Sequence, residues 1–167
     1  MKFSIRYSWI TAFLSAFIVL LPRAGAMATM PLPDFEVTAL DGRVVGSKHL
    51  SSSPKWLLIY VQPNCSPCKE VFRALERNES QPDLSGKIIV LVGGVDAEEA
   101  KRMARRWPSA PESSWYVDPL GRAAVELKLQ GAPIVFGIHQ DTIEWDLSGV
   151  PADSNTLKSI LTTWCED

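Results

Sequence analysis

The sequence predicts an α/β sandwich: a partly parallel β-sheet with helices on both of its faces. Two apolar runs, at 56–61 and 88–92, are continuous, which is typical of strands buried on both faces of a sheet. Segments of helical periodicity alternate with the strands, which indicates parallel crossovers, and two strands near the C-terminus form an antiparallel hairpin. The 167 residues are 46% hydrophobic and 22% charged, which indicates one globular domain.

The first 28 residues have the form of a secretory signal peptide. Lys2 and Arg6 precede an apolar run over 9–21, and alanines at alternate positions of 24–28 make two cleavage sites. An uncleaved membrane anchor is the alternative, but the run is shorter than the roughly 20 residues that span a bilayer. We therefore expect an exported protein whose folded domain covers 33–165.

The charge of the chain argues against nucleic acid as a partner. Without the basic residues of the signal peptide, the net charge falls from −2 to about −5. No basic stripe remains that would neutralise a phosphate backbone. We therefore expect no nucleic-acid partner.

The first two strands follow the signal peptide. Pro31 and Pro33 mark an extended lead-in to the alternating segment 35–40, which ends at the Asp41–Gly42 turn. A short extended piece around Val44–Val45 is expected to pair back on this segment. The buried strand at 56–61 comes after the next loop.

The helix after that buried strand begins beside two cysteines. From 66 to about 78, apolar residues that include Cys68 recur at helical spacing, and charged residues occupy the other face. Cys65 is therefore expected at the N-terminus of this helix. Cys68 is expected one turn further on, at the inward face.

The remaining elements follow from capping and turn signals. Asp96, with Glu99 three residues later, predicts the start of one helix, and Asp118–Pro119 predicts the start of another. The predicted segments are a helix at 96–107, a strand at 115–117, a helix at 120–129, strands at 134–138 and 143–147, and a last helix around 157–164.

The three cysteines, Cys65, Cys68 and Cys165, leave three interpretations open for the close pair. An exported protein can keep structural disulfides, but an odd count leaves either a free thiol or an exchangeable pair. A Cys-x-x-Cys is also half of a common zinc site, yet no second pair and no paired histidines accompany it. We expect no metal, and Cys165 is expected to be a buried, inert thiol.

The spacing of Cys65 and Cys68 suits redox chemistry. Residues three apart on a helix lie about 5–6 Å apart, a separation that a disulfide bridges. A sulfur at a helix N-terminus is favoured as the thiolate, which is the attacking species in disulfide exchange. Pro67 lacks a backbone N–H, and this loss costs little free energy in the first turn of a helix. A proline between the two cysteines is therefore compatible with the helix start.

The chain resembles the thioredoxin superfamily, and within it the exported TlpA and ResA type, with MauD-like proteins a near second. The matching pieces are "PDFEVTALDGRVV", "NCSPCK", "VDPLGRAAVELKLQGAP" and "IVFGIHQDTIEWDLSG", so the resemblance covers nearly all of the mature chain. It implies a thioredoxin-like fold, with a central mixed β-sheet flanked by helices. It also implies a catalytic Cys65–Cys68 disulfide, supported by Pro67, in a periplasmic protein without a cofactor.

The resemblance assigns a role to Pro133 as well. In the family, a cis-proline before the hairpin stands against the dithiol, and Pro133 of "GAPIVF" occupies that place. Family members pair the backbone before this proline with an extended client segment. Ala132 and Pro133 are therefore expected to support the active site and to bind substrate.

The chain also departs from the family pattern. Asn64 stands where a tryptophan commonly precedes the first cysteine, and Ile59 stands where thioredoxin has a buried acid. The group that carries the proton from Cys68 is therefore not evident, and Glu70 is a weak candidate. Gln62 stands where a peroxiredoxin has threonine, which argues against peroxidase activity.

The expected function is thiol-disulfide exchange with client proteins, in the reductive direction, of the kind that serves cytochrome c maturation or another cofactor assembly. A redox partner, in the membrane or in solution, would reset the dithiol. One alternative is a copper chaperone, in which His49 or His139 joins the two cysteines. Another is an interaction module that has kept the fold without the chemistry.

Overall fold

The computed structural model describes residues 29–76, 86–107, 110–151 and 153–166. The predicted signal peptide at 1–28 and the predicted end of the first helix at 78 lie outside these residues. The strands are β1 (Met30–Pro31), β2 (Glu36–Ala39), β3 (Val44–Gly46), β4 (Lys55–Val61), β5 (Ile88–Gly93), β6 (Trp115–Asp118), β7 (Ile134–His139) and β8 (Thr142–Ser148). The α-helices are α1 (Cys68–Leu75), α2 (Ala97–Arg106), α3 (Arg122–Glu126) and α4 (Ser154–Glu166).

The strands form a single mixed sheet in the order β1-β8-β7-β4-β5-β6-β2-β3. β4 pairs in parallel with β5, and β5 pairs in parallel with β6, while the other pairs are antiparallel. The predicted mixed sheet and its terminal hairpin, β7–β8, are confirmed. The short β1 was expected only as an extended lead-in, and the structure adds it to the edge of β8.

The sheet has an apolar core on each face, as a doubly covered sheet requires. Alternate residues of β4, such as Leu57 and Ile59, face the cluster that also holds the inward residues of α1, α2 and α4. Leu58 and Tyr60 face the other cluster, which α3 covers with Ala123. The prediction of helices on both faces is confirmed.

The start of α3 corrects one prediction. The sequence places this helix at 120–129 with Asp118 as its cap, but Asp118 is the last residue of β6 and α3 begins at Arg122. Gly121 precedes the helix with φ of 68°, a conformation that glycine adopts without strain. The Asp118 carboxylate accepts the N–H of Ala124 at 3.1 Å, inside the first turn.

Helix α4 is fixed to the sheet by tryptophans. The indole N–H of Trp164 donates to the carbonyl of Trp56 at 3.1 Å, and its ring meets that of Trp145 edge-on at 5.5 Å. The Trp145 ring lies over Gly137 so closely that a Cβ on that glycine would come within 2.1 Å of it. The C-terminal helix and the hairpin therefore pack as one unit.

Candidate active site

The dithiol lies in the connection between β4 and α1. β4 ends at Val61, and a turn follows in which the Cys65 N–H faces the Gln62 carbonyl at 3.4 Å. Asn64 holds a left-handed φ of 60°, a conformation that asparagine tolerates better than most residues. The helix begins at Cys68, two residues later than the predicted 66, because Ser66 and Pro67 form the turn that leads into it.

Cys65 and Cys68 are joined in a disulfide, with their Cα atoms 5.3 Å apart. Their surroundings differ: Cys65 is half-buried, whereas Cys68 is only 4% exposed. The backbone N–H of Cys68 donates to Sγ of Cys65 at 3.2 Å. A backbone donor in this position favours negative charge on the Cys65 sulfur.

The Ala132–Pro133 peptide bond is cis, as predicted. Tyr60 of β4 pairs with Ile134 of β7, so Pro133 and the dithiol loop leave neighbouring strands at the same end of the sheet. Pro133 is buried, and its carbonyl accepts the N–H of Gly149 at 2.8 Å. Ala132 is half-buried, and within the described ranges its backbone groups make no hydrogen bond.

Two grooves open beside these segments. One, of about 590 Å³, is lined by the dithiol loop, by α1 and by residues of α2. The other, of about 800 Å³, runs from the segment before Pro133 along β8. Cys65 and Pro133 line different grooves, so the structure brings them to one end of the sheet without placing them in one cavity.

The lining from α2 was not predicted from the sequence. Glu99, Met103 and Arg106 lie at spacings of four and three residues, which puts them on one helix face, and that face meets the dithiol groove. The sequence shows the helical spacing of these residues. It does not show which element this helix face meets, because the pairing of α2 with α1 depends on the strand order.

A buried acid does exist, but on the other face of the sheet from Cys68. Asp118 is 2% exposed, and its charge acts on Tyr60. Tyr60 packs in the cluster on the opposite face of the sheet from Cys68. Burial of the Tyr60 phenol raises its pKa, and the charge of Asp118 raises it further. Ile59 packs in the same cluster as Cys68, and Glu70 pairs with Arg73 on the outside of α1.

The histidines lie away from the dithiol. His139 ends β7, five residues beyond Ile134 and therefore about 17 Å along the strand. Its Nδ1 lies 3.0 Å from a carboxylate oxygen of Glu144. His49 closes a short 3₁₀ turn after β3. Over the described part of the chain, no three metal-binding side chains cluster around a possible ion.

The residues 29–76, 86–107, 110–151 and 153–166 include no helix with the length and apolar character needed to cross a membrane.

Comparison with known proteins yields structural relatives. No family model matches the chain, and no curated protein matches it. A candidate thiol:disulfide interchange protein DsbE from Chlorobium tepidum superposes with a TM-score of 0.58 and 23% identity, covering 77% of this chain and 91% of its own. A thiol:disulfide interchange protein of the thioredoxin family from the same organism gives 0.55 and 15%, covering 83% and 97%.

A third similar structure is a secreted Mycobacterium tuberculosis disulfide oxidoreductase homologous to Escherichia coli DsbE. It superposes with a TM-score of 0.59 and 13% identity, covering 77% of this chain and 95% of its own. All three span almost their whole length on this chain, although the identities are low. The chain therefore has the thioredoxin-like fold of these structures.

Proposed function

We propose that the protein is an exported thiol-disulfide oxidoreductase that acts through Cys65 and Cys68. The observation that carries this proposal is the asymmetry of the pair. Cys65 is accessible and accepts an N–H at its sulfur, whereas Cys68 is buried within bonding distance of it. An accessible, stabilised thiolate with a resolving thiol behind it is what disulfide exchange requires.

In the reductive direction the cycle has two steps. The Cys65 thiolate attacks a client disulfide, forms a mixed disulfide and releases one client thiolate, which takes a proton from water. Cys68 loses its proton, attacks Sγ of Cys65, closes the Cys65–Cys68 disulfide and releases the second client sulfur. Two electrons pass to the client, and a dithiol partner, in the membrane or in solution, returns two electrons to the pair.

The client meets the protein at the start of β7. The unpaired backbone groups of Ala132 are available to an extended client segment, and Pro133 holds the chain beside them. Such pairing uses main-chain hydrogen bonds and is tolerant of client sequence. Pro67, exposed between the cysteines, leaves the dithiol loop open to the client.

Export and direction complete the proposal. The predicted signal peptide and the likeness to a secreted oxidoreductase support a periplasmic location. The Ser-Pro pair between the cysteines and the TlpA-like frame support a reductant. Clients in cytochrome c maturation or another cofactor assembly are the class that needs a reductant in an oxidising compartment.

Insulin reduction with dithiothreitol as electron donor tests the proposal. The wild-type protein should accelerate precipitation of the insulin chains, and Cys65→Ser should abolish the acceleration. Cys165→Ala, which removes the buried thiol outside the pair, should retain it. Stoichiometric copper binding without exchange would instead identify a chaperone, and a folded protein with neither property would be an interaction module.

A further inference from the structure

The groove beside the dithiol is built from two parallel helices. β4 and β5 are parallel neighbours, and α1 and α2 follow their C-terminal ends, so both helices start at the dithiol end of the sheet. α1 lines the groove with Cys68, Lys69 and Phe72, and α2 faces them with residues from Glu99 to Arg106. The groove therefore leads from the reactive sulfurs along the helices.

The floor of the groove is apolar and firmly supported. The ring of Phe72 stacks on Trp107 at 5.1 Å and on Trp115, behind it, at 5.5 Å. Met103 completes the floor from α2 and adapts readily to the shape of a neighbour. Phe72 and Trp115 are buried, so the surface left to a partner is that of the half-buried Trp107 and Met103, which suits an apolar side chain.

Charged side chains line both ends of the groove. Glu99 lies at the dithiol end, and Arg106 ends the helix seven residues later, about 10 Å away. Lys69 and Arg106 have no ion pair within the described ranges, whereas Nε of Arg105, the residue before Arg106, lies 3.8 Å from a carboxylate oxygen of Glu112. Lys69 follows Cys68 and lies with Glu99 at the dithiol end, so the far part of the groove is positive through Arg106, in a chain whose net charge is −2.

We propose that this groove selects clients with an apolar residue beside the reactive cysteine and an acidic residue about three positions from it. An extended segment rises about 3.3 Å per residue, so three residues cover the 10 Å between the two ends of the groove. Glu99 and Lys69 offset each other beside the cysteines, so Arg106 sets the preference and attracts an acid further along the groove. This inference rests on the proposed exchange activity and adds the substrate class.

Two homodimeric peptide disulfides test the inference. Both carry phenylalanine beside the cysteine; one has aspartate three positions away on each side, and the other has lysine there. The rate at which the reduced protein converts each disulfide to two thiols is measured at low and at high salt. We expect about a tenfold preference for the aspartate peptide at low salt, because surface charges steer association, and its loss at high salt.

Arg106→Glu should abolish or reverse the preference. Arg105→Glu makes the same charge change on the neighbouring residue outside the groove, and it should leave the preference intact. Equal rates for the two peptides, or an equal effect of both variants, would overturn the groove proposal while exchange itself stands. A wild-type protein that reduces neither peptide nor insulin would overturn the proposed function instead.

Discussion

The backbone N–H of Cys68 lies 3.2 Å from the sulfur of Cys65 and points at it. The two cysteines differ in access, because Cys68, the first residue of α1, is only 4% exposed, whereas Cys65 is half-buried. The two thiols of the reduced protein are therefore unequal in access and in stabilisation. The order of attack in the proposed exchange cycle rests on this difference.

Replacing each cysteine by serine should separate the two roles. Cys68→Ser should accumulate a covalent adduct with a client disulfide, because Cys65 attacks and nothing resolves the product. Cys65→Ser should form little or none. Intact mass spectrometry after incubation with a peptide disulfide measures the adduct, and equal trapping by the two variants would contradict the assigned order.

A second prediction concerns the sheet behind the site. A Cβ at Gly137 would meet the Trp145 ring at 2.1 Å, and Trp145 is held in turn by Trp164. Gly137→Ala should therefore lower the free energy of unfolding by about 1–3 kcal/mol, since a packed neighbour has to move. Gly131→Ala is the matched control, because a Cβ there meets nothing within 4 Å. Chemical denaturation checks both variants, and similar losses would argue against the ring contact.

The third prediction concerns cleavage of the predicted signal peptide. The two alanine sites end at Ala26 and Ala28, and the first strand begins at Met30. Cleavage at either site leaves the pairing of Met30 with Ile143 intact. In a bacterial host, the mature protein should therefore begin at Met27 or Thr29. N-terminal sequencing of the secreted form determines this, and an unprocessed, membrane-bound chain would support the anchor alternative.

Local signals predicted most of the fold. The apolar run of β4 and the cap at Asp96, whose carboxylate accepts the Glu99 N–H at 2.8 Å, were read correctly because each depends on adjacent residues. The predicted start of α3 was wrong because a turn and Gly121 separate Asp118 from the helix, although the Asp118 carboxylate still accepts an N–H of its first turn. Capping signals alone do not reveal how many residues separate the cap from the start of the helix.

The candidate site also has features that short motifs predict and features that depend on the whole sheet. The Cys65–Cys68 disulfide and the cis bond before Pro133 were predicted from short motifs and are confirmed. The groove was not predicted, because it needs Phe72 of α1 beside Trp107, which follows α2. That contact depends on the parallel pairing of β4 and β5, a property of the whole sheet. Strand order of this kind is not encoded in any one segment.

The last prediction concerns the cap of α4. Asp153 accepts the hydroxyl of Thr156 at 2.6 Å and the N–H groups of Asn155 and Thr156 at 3.1 and 3.0 Å. These bonds, the Thr156 hydroxyl first, hold the pKa of Asp153 below its usual value. Ionisation of Asp153 therefore favours the folded state.

Because the folded pKa is the lower one, this contribution is fully present above the unfolded value of 3.8 and is lost as the pH falls through the folded value. Asp153→Asn, which keeps a capping oxygen without the charge, should lower the melting temperature by a few degrees at pH 7 and by less near pH 2. Asp146→Asn removes an exposed carboxylate of β8 and serves as the charge control. A melting-temperature deficit for Asp153→Asn that is the same at both pH values would show that the carboxylate charge does not stabilise the start of α4.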